Sequence, residues 1–287
     1  MRKSTKIMMH IASAFAIVGF GMLIGGACAG AAGTGENSFI QLKNLVASSS
    51  FPGASLLKTG MEYTFSGSKE WDDSITSSVE MPFPEELVVD LKFDELILQE
   101  YDGDVVKIET VNDENGDVFA EGDAKKLIIK DTHKNSRRSK QIKVSIPAGR
   151  EFKRMEFSVE AGTIEIDSDL KTETFVAEIG AGEFYCEGEI RAEECTLDVG
   201  AGSIETERIT AKKISGDCGT GEIDMELAGK ESDYDYELSC GIGEIDLGDE
   251  EYSGLGIERT IENKGSLGKV ILNCGMGEID VTFTQDE

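Results

Sequence analysis

Between Glu160 and Ile279 the chain returns six times to one short turn. Five copies read Gly180-Ala181-Gly182-Glu183-Phe184, Gly200-Ala201-Gly202-Ser203-Ile204, Gly219-Thr220-Gly221-Glu222-Ile223, Gly241-Ile242-Gly243-Glu244-Ile245 and Gly275-Met276-Gly277-Glu278-Ile279. An earlier copy, Glu160-Ala161-Gly162-Thr163-Ile164, has Glu at the first glycine position. Counted from residue 160, the starts are 20, 20, 19, 22 and 34 residues apart. A period near 20 with strand patterning predicts a stacked β repeat, because one such unit cannot bury its own apolar face.

Each copy alternates on both sides of its turn. Tyr236, Leu238 and Cys240 alternate with Glu237 and Ser239, and Ile223, Met225 and Leu227 alternate with Glu222, Asp224 and Glu226. A period of two gives an apolar face and an acidic one. From Cys274 to Ile279 is an odd step, yet both belong to the apolar set. The turn must therefore shift the phase, by a bulge or corner at the second glycine, where positive φ or close backbone approach suits a residue without Cβ. The motif is not a dinucleotide fingerprint, which needs a third glycine and a following helix.

Stacking copies in sequence order puts residues 179, 199, 218, 240 and 274 in one column: Ile, Val, Cys, Cys, Cys. The cysteines then read as small buried hydrophobes with free thiols. Disulfides and a thiolate metal site are the rival readings. Cys186 and Cys195 fall elsewhere in their coils. On the outward face Glu165, Glu205, Asp224, Asp246 and Asp280 form an acidic column, interrupted by Tyr185. A cation such as calcium would relieve the repulsion, and a solvated acidic face is the plainer reading.

The chain carries 28 basic and 56 acidic residues, a net charge of −28. Residues 151–287 hold 35 of the acids and 11 of the bases. Such a balance argues against nucleic acid as a partner. Two histidines, His10 and His133, leave little for histidine-based zinc or triad chemistry.

Arg2, Lys3 and Lys6 precede an uncharged stretch from Ile7 to about Ala32. It is long enough to span a bilayer, and the cations favour an inside N-terminus. Segment 1–32 is read as a signal-anchor or transmembrane helix. A cleaved signal ending near Ala27-Cys28-Ala29 and a lipoprotein using Cys28 are the alternatives. Residues 33–83 read as a flexible tether that includes Trp71 and a short amphipathic helix around Phe39–Val46. The lipid bilayer is then one partner, and the bulk of the chain is extracytoplasmic.

Residues 84–155 show less regular strands, which read as opening coils of, or a cap on, the β domain whose regular repeats fill 156–287. Examples are Leu96-Ile97-Leu98, Leu127-Ile128-Ile129 and Ile142-Lys143-Val144-Ser145-Ile146-Pro147, with a turn at Tyr101-Asp102-Gly103-Asp104. Lys134, Arg137, Arg138 and Lys140 read as a solvated hairpin tip, with contact to anionic envelope polymers or lipid headgroups as its functional reading. The insertion Leu247–Lys269, with Glu250, Glu251, Tyr252 and Arg259, is the expected variable contact surface.

The basic start and apolar segment, Leu96–Glu109, Ile142–Pro147 before a charged stretch, and the Gly-x-Gly-Glu-Ile-Asp repeats occur in that order. In this the chain resembles the bacterial β-strand-repeat domains of unknown function labelled "putative adhesin". The resemblance covers about residues 86–287. It implies a β-solenoid or flattened β-sandwich-like repeat at the envelope of Gram-positive bacteria, and no catalytic residues to carry over.

The fold expected is all-β: a single-chain β-solenoid, or stacked β-repeat domain, with coils of about 20 residues after an N-terminal transmembrane helix. The expected function is a membrane-anchored, extracytoplasmic scaffold or adhesion-type binding module without catalysis. Its partner is expected to be a cell-surface protein or envelope polymer. An envelope-stress regulator binding a membrane partner is the alternative, and a β-helix polysaccharide-active enzyme a further one. No catalytic, cofactor-binding or metal-ligating residue is assigned.

Overall fold

The computed structural model describes residues 75–132 and 139–284. The expected N-terminal span, Cys28, Trp71 and the Phe39–Val46 helix lie outside the described residues, as do His133, Lys134, Arg137 and Arg138. No helix among the described residues is long and apolar enough to cross a membrane.

Alternating sequence becomes strand almost throughout. The first seven strands are β1 (Ile75–Pro82), β2 (Glu86–Leu91), β3 (Glu95–Tyr101), β4 (Val105–Val111), β5 (Val118–Gly122), β6 (Lys126–Asp131) and β7 (Gln141–Pro147). The next six are β8 (Glu151–Val159), β9 (Thr163–Ile166), β10 (Leu170–Ile179), β11 (Glu183–Val199), β12 (Ser203–Cys218) and β13 (Glu222–Ala228). After a 3-10 turn at Glu231–Asp233 come β14 (Tyr234–Cys240), β15 (Glu244–Leu247), β16 (Glu250–Ser253), β17 (Ile257–Ile261), β18 (Gly268–Cys274) and β19 (Glu278–Thr284). Within the segment read as a tether, residues 75–82 form β1, paired antiparallel with β4.

Two ladders result. One runs β5-β6-β2-β8-β10, then the second halves of β11 and β12, then β18-β14-β17. The other runs β1-β4-β7-β3-β9, then the first halves of β11 and β12, then β13-β19-β15-β16. Because β11 and β12 pass through both, all nineteen strands form one sheet, barrel-like with one seam. Gly-x-Gly turns carry the rungs from the first ladder to the second at β10–β11, β11–β12, β12–β13, β14–β15 and β18–β19, and Glu160-Ala161-Gly162 does so at β8–β9.

From β8 to β13 the rungs stack in sequence order and in parallel register: Leu170 lies against Ile190, and Ile190 against Ile209. At both ends sequence order fails. The last rung, β18–β19, inserts between β12–β13 and β14–β15. Likewise the rung β2–β3 sits between β6–β7 and β8–β9. The expected thiol column is corrected accordingly: Cys274 lies between Cys218 and Cys240. The acidic column runs Asp224, Asp280, Asp246 rather than ending on Asp280.

Antiparallel strands explain the reordering. β16 and β17 run backward along β15 and β14, and β4 and β5 run backward along β7 and β6. The reversed strands β5, β16 and β17 form outer edges and β1 lies outside β4; β16 and β17 are charged and largely exposed, which blunts edge-to-edge pairing. Leu247–Lys269 is thus mainly a reversed rung rather than a free loop.

The interior is a set of registered columns. In the second ladder Ile142, Leu96, Ile164, Phe184, Ile204, Ile223, Ile279 and Ile245 stack in that order, all buried. Phe157, Phe175 and Phe184 meet across the core with centroids 5.7–6.0 Å apart. Burying each such side chain contributes about 1.5–3 kcal/mol. The thiols of Cys186, Cys195, Cys218, Cys240 and Cys274 are free and buried.

The glycines act through close approach, not through positive φ. No glycine of the repeated turns has positive φ. A Cβ on Gly182, Gly202, Gly221, Gly277 or Gly243 would lie 2.0–2.3 Å from the carbonyl oxygen of the neighbouring rung's second glycine. Of the bulge or corner expected there, the structure has a tight corner at which successive backbones touch.

Candidate binding surface

The Gly-x-Gly corners line up as a ridge along the stack. Backbone hydrogen bonds such as Ala201 N–H to Gly180 O (2.7 Å) and Met276 N–H to Gly219 O (2.8 Å) hold it. Its crest is the middle residue of each turn. Ala161 is buried, and Ala181, Ala201 and Thr220 are half-buried. Beyond them the crest becomes large and apolar: Met276 is 49% exposed and Ile242 is 62% exposed. Gly256 donates its N–H to Gly241 O (2.8 Å), which brings the hairpin of Leu255, 85% exposed, alongside Ile242. Three exposed apolar side chains thus gather at the C-terminal end of the ridge.

Acids flank this end on both sides. On the second ladder, Glu222, Glu278 and Glu244 stack, and beside them Asp224, Asp280 and Asp246. Register also sets Glu251 of β16 opposite Asp246. Carboxylate oxygens of Glu244, Asp246 and Glu251 lie within 4.8 Å of one another, a spacing that could hold a cation. Burial pushes the Glu244 carboxyl up, with Asp246, Glu251 and Glu278 adding repulsion. Asp280 is pushed up by burial and then by Asp246. On the first ladder a shallow groove beside the ridge is lined by Asp198, Asp217, Asn273 and Ser239. Asn273 Nδ2 donates to Asp217 Oδ1 (2.9 Å), and the Asp198 carboxyl is raised by burial and by Asp217.

The sequence reading named the flanking acids Asp224, Asp246, Asp280 and Glu251, and the structure brings all four together. It named the insertion residues Glu250, Tyr252 and Arg259 as a contact surface. Glu250 and Arg259 are exposed, while Tyr252 is half-buried and donates to Glu250 (3.1 Å). Ile242 and Met276 were missed, although they replace Ala or Thr at the middle of the repeat. Lys140 is not part of a solvated tip: it is 2% exposed, held inside the stack by carboxylates.

No family model and no curated protein matches the chain. Solved structures similar to it include one titled a putative cell adhesion protein from Clostridium sporogenes, 12% identical, covering 74% of this chain and 100% of its own, with a TM-score of 0.35. Another is titled a putative adhesin from Bacteroides fragilis, 13% identical, covering 73% and 98%, with a TM-score of 0.37. A third is titled a putative adhesin from Parabacteroides distasonis, 12% identical, covering 73% and 98%, with a TM-score of 0.38.

Proposed function

We propose that the chain is a surface binding protein: a membrane-anchored, extracytoplasmic β-solenoid with capped ends that holds a contact surface away from the bilayer and does no catalysis. The observation that carries this reading is the apolar trio Ile242, Leu255 and Met276 on the ridge. Large apolar side chains exposed together and rimmed by charge are the pattern of a docking site. The uncharged stretch Ile7–Ala32 behind three cations supports anchoring with the repeat domain outside. Partners of this kind are a cell-surface protein or an envelope polymer, and the charge of −28 disfavours nucleic acid.

The test is cell-surface display of the full chain beside the Ile242→Ser, Leu255→Ser, Met276→Ser triple variant. Binding to cells, mucins or matrix proteins is scored for both at matched surface levels. Loss of binding only in the variant supports the reading. Equal binding by both, or binding by neither to any target, counts against this surface.

A further inference from the structure

Three charged side chains lie inside the N-terminal end of the stack. Asp94 sits in the turn between β2 and β3, Asp131 ends β6, and Lys140 immediately precedes β7. Their side chains are 0%, 1% and 3% exposed. All three occupy columns that are uncharged along most of the stack. One step before the Glu95–Gln141 and Glu95–Thr163 pairs, Lys140 and Asp94 fill the position of the second glycine. Asp131, one step past the Asp90–Lys130 pair, falls in the column of Leu91, Val159, Ile179 and the thiols. Buried ions without solvent cost more than they return unless something specific is gained.

The geometry of the three is specific. Lys140 Nζ donates to Asp131 Oδ1 at 3.0 Å and lies 3.7 Å from Asp94 Oδ1. The backbone N–H of Lys140 donates to that same Asp94 Oδ1 at 3.0 Å. Asp94 Oδ2 is buried and accepts no hydrogen bond. So Oδ1 of Asp94 is polarised by a backbone N–H, as a carbonyl would be, while Oδ2 has no such bond. Burial, the largest influence, pushes the Asp94 carboxyl up to about 6, with Asp131 adding repulsion against the pull of Lys140.

We propose that Lys140 and Asp94 condense into an amide, an intramolecular cross-link between two rungs, with Asp131 moving the protons. Lys140 first passes one ammonium proton to Asp131, a transfer within the site that cancels two buried charges. The freed amine lone pair attacks Cγ of protonated Asp94, and the Oδ1 charge that develops is met by the Lys140 backbone N–H. The amine nitrogen then gives up a second proton as Oδ2 takes one from Asp131 and departs as water. The new C–N bond replaces the Cγ–Oδ2 bond, no redox partner is needed, and Asp131 ends neutral, holding the proton given up by nitrogen. Burial supplies the drive. It disfavours the ion pair against the pull of the two carboxylates on the Lys140 ammonium, favours the neutral amide, and keeps Lys140 Nζ 3.7 Å from Asp94 Oδ1.

The full chain, purified and unfolded, is digested with trypsin and analysed by mass spectrometry. The expected product is the peptide Phe93–Lys107 joined to Ser139–Lys143, at the sum of their masses less one water, with no cleavage after Lys140. Lys140→Arg keeps the charge but cannot condense, and should give only separate peptides. Asp131→Asn should give uncondensed peptides from a chain whose circular dichroism is unchanged. Cleavage after Lys140 throughout the wild-type protein overturns the proposal. A joined peptide in Asp131→Asn overturns the role given to Asp131.

Discussion

Gly202→Ala tests the idea that the repeat exists to let rungs touch. The added Cβ would lie 2.0 Å from Gly182 O and 2.9 Å from Gly182 N, both backbone atoms that cannot swing aside. Reaching the 3.4 Å of ordinary contact means parting the rungs there by about 1.4 Å (3.4 less 2.0). That movement sacrifices the bonds from Ala201 N–H to Gly180 O (2.7 Å) and from Ser203 N–H to Gly182 O (3.0 Å). Each partner left unsatisfied costs about 1–3 kcal/mol, and the stiffer unfolded chain returns about 0.4–1 kcal/mol. The net expectation is a loss of about 2–5 kcal/mol, a large share of the roughly 5–15 kcal/mol a domain commands. Urea unfolding followed by far-UV circular dichroism measures it. Gly149→Ala is the control: nothing lies within 4 Å, but φ is +68°, so only the left-handed backbone cost of about 1–2 kcal/mol applies. If Gly202→Ala unfolds within about 0.5 kcal/mol of wild type, backbone contact is not why the glycine is there.

Native protein should protect its five described thiols from iodoacetamide, and urea should release them; burial pushes Cys186 and Cys195 up to about 12. Rapid native labelling of either would contradict the buried columns. Cys274→Ser should cost about 1–3 kcal/mol by burying a hydroxyl among Cys218, Cys240 and apolar neighbours, and Cys274→Val less; urea midpoints rank them. Glu244 and Asp280 carry raised carboxyls, so the folded state binds more protons than the unfolded state between the two pKa values. Their contribution is fully present below the unfolded pKa and is lost as pH rises through the folded one. Glu244→Gln with Asp280→Asn should therefore stabilise the protein at neutral pH and have little effect in mild acid. A thermal melt pair at the two pH values reads the difference.

Much of this fold is legible from spacing. Gly-x-Gly followed by Glu-Ile-Asp fixes the corner, the inward Ile and the outward acid at Ile223, Ile279 and Ile245, whereas Leu96 and Ile142 join that column only through strand pairing. Rung order is not legible, because the rungs carry nearly the same edge. Cys240 and Cys274 each fit beside Cys218, and only the backward run of β16 and β17 decides between them. The reason for the glycine was half legible: no Cβ fits, but closeness rather than φ is why. The ridge trio was visible in principle at Ile242 and Met276, whereas Leu255 joins them only through the hairpin hydrogen bond to Gly241. Lys140 looked like surface because it follows two arginines. Its true signal is Phe93-Asp94-Glu95-Leu96, a degenerate repeat turn in which Asp94 stands for glycine.

Placing β18–β19 between β12–β13 and β14–β15 has a consequence during synthesis. The ribosome releases β14–β15 before the rung that will separate it from β12–β13 has been made. Until then Gly241 and Gly243 can dock on Gly219 and Gly221 as readily as the last copy will. The nascent chain must keep that gap open, or reopen it, so a message truncated after residue 266 should yield a closed but wrongly ordered protein rather than an unfolded one.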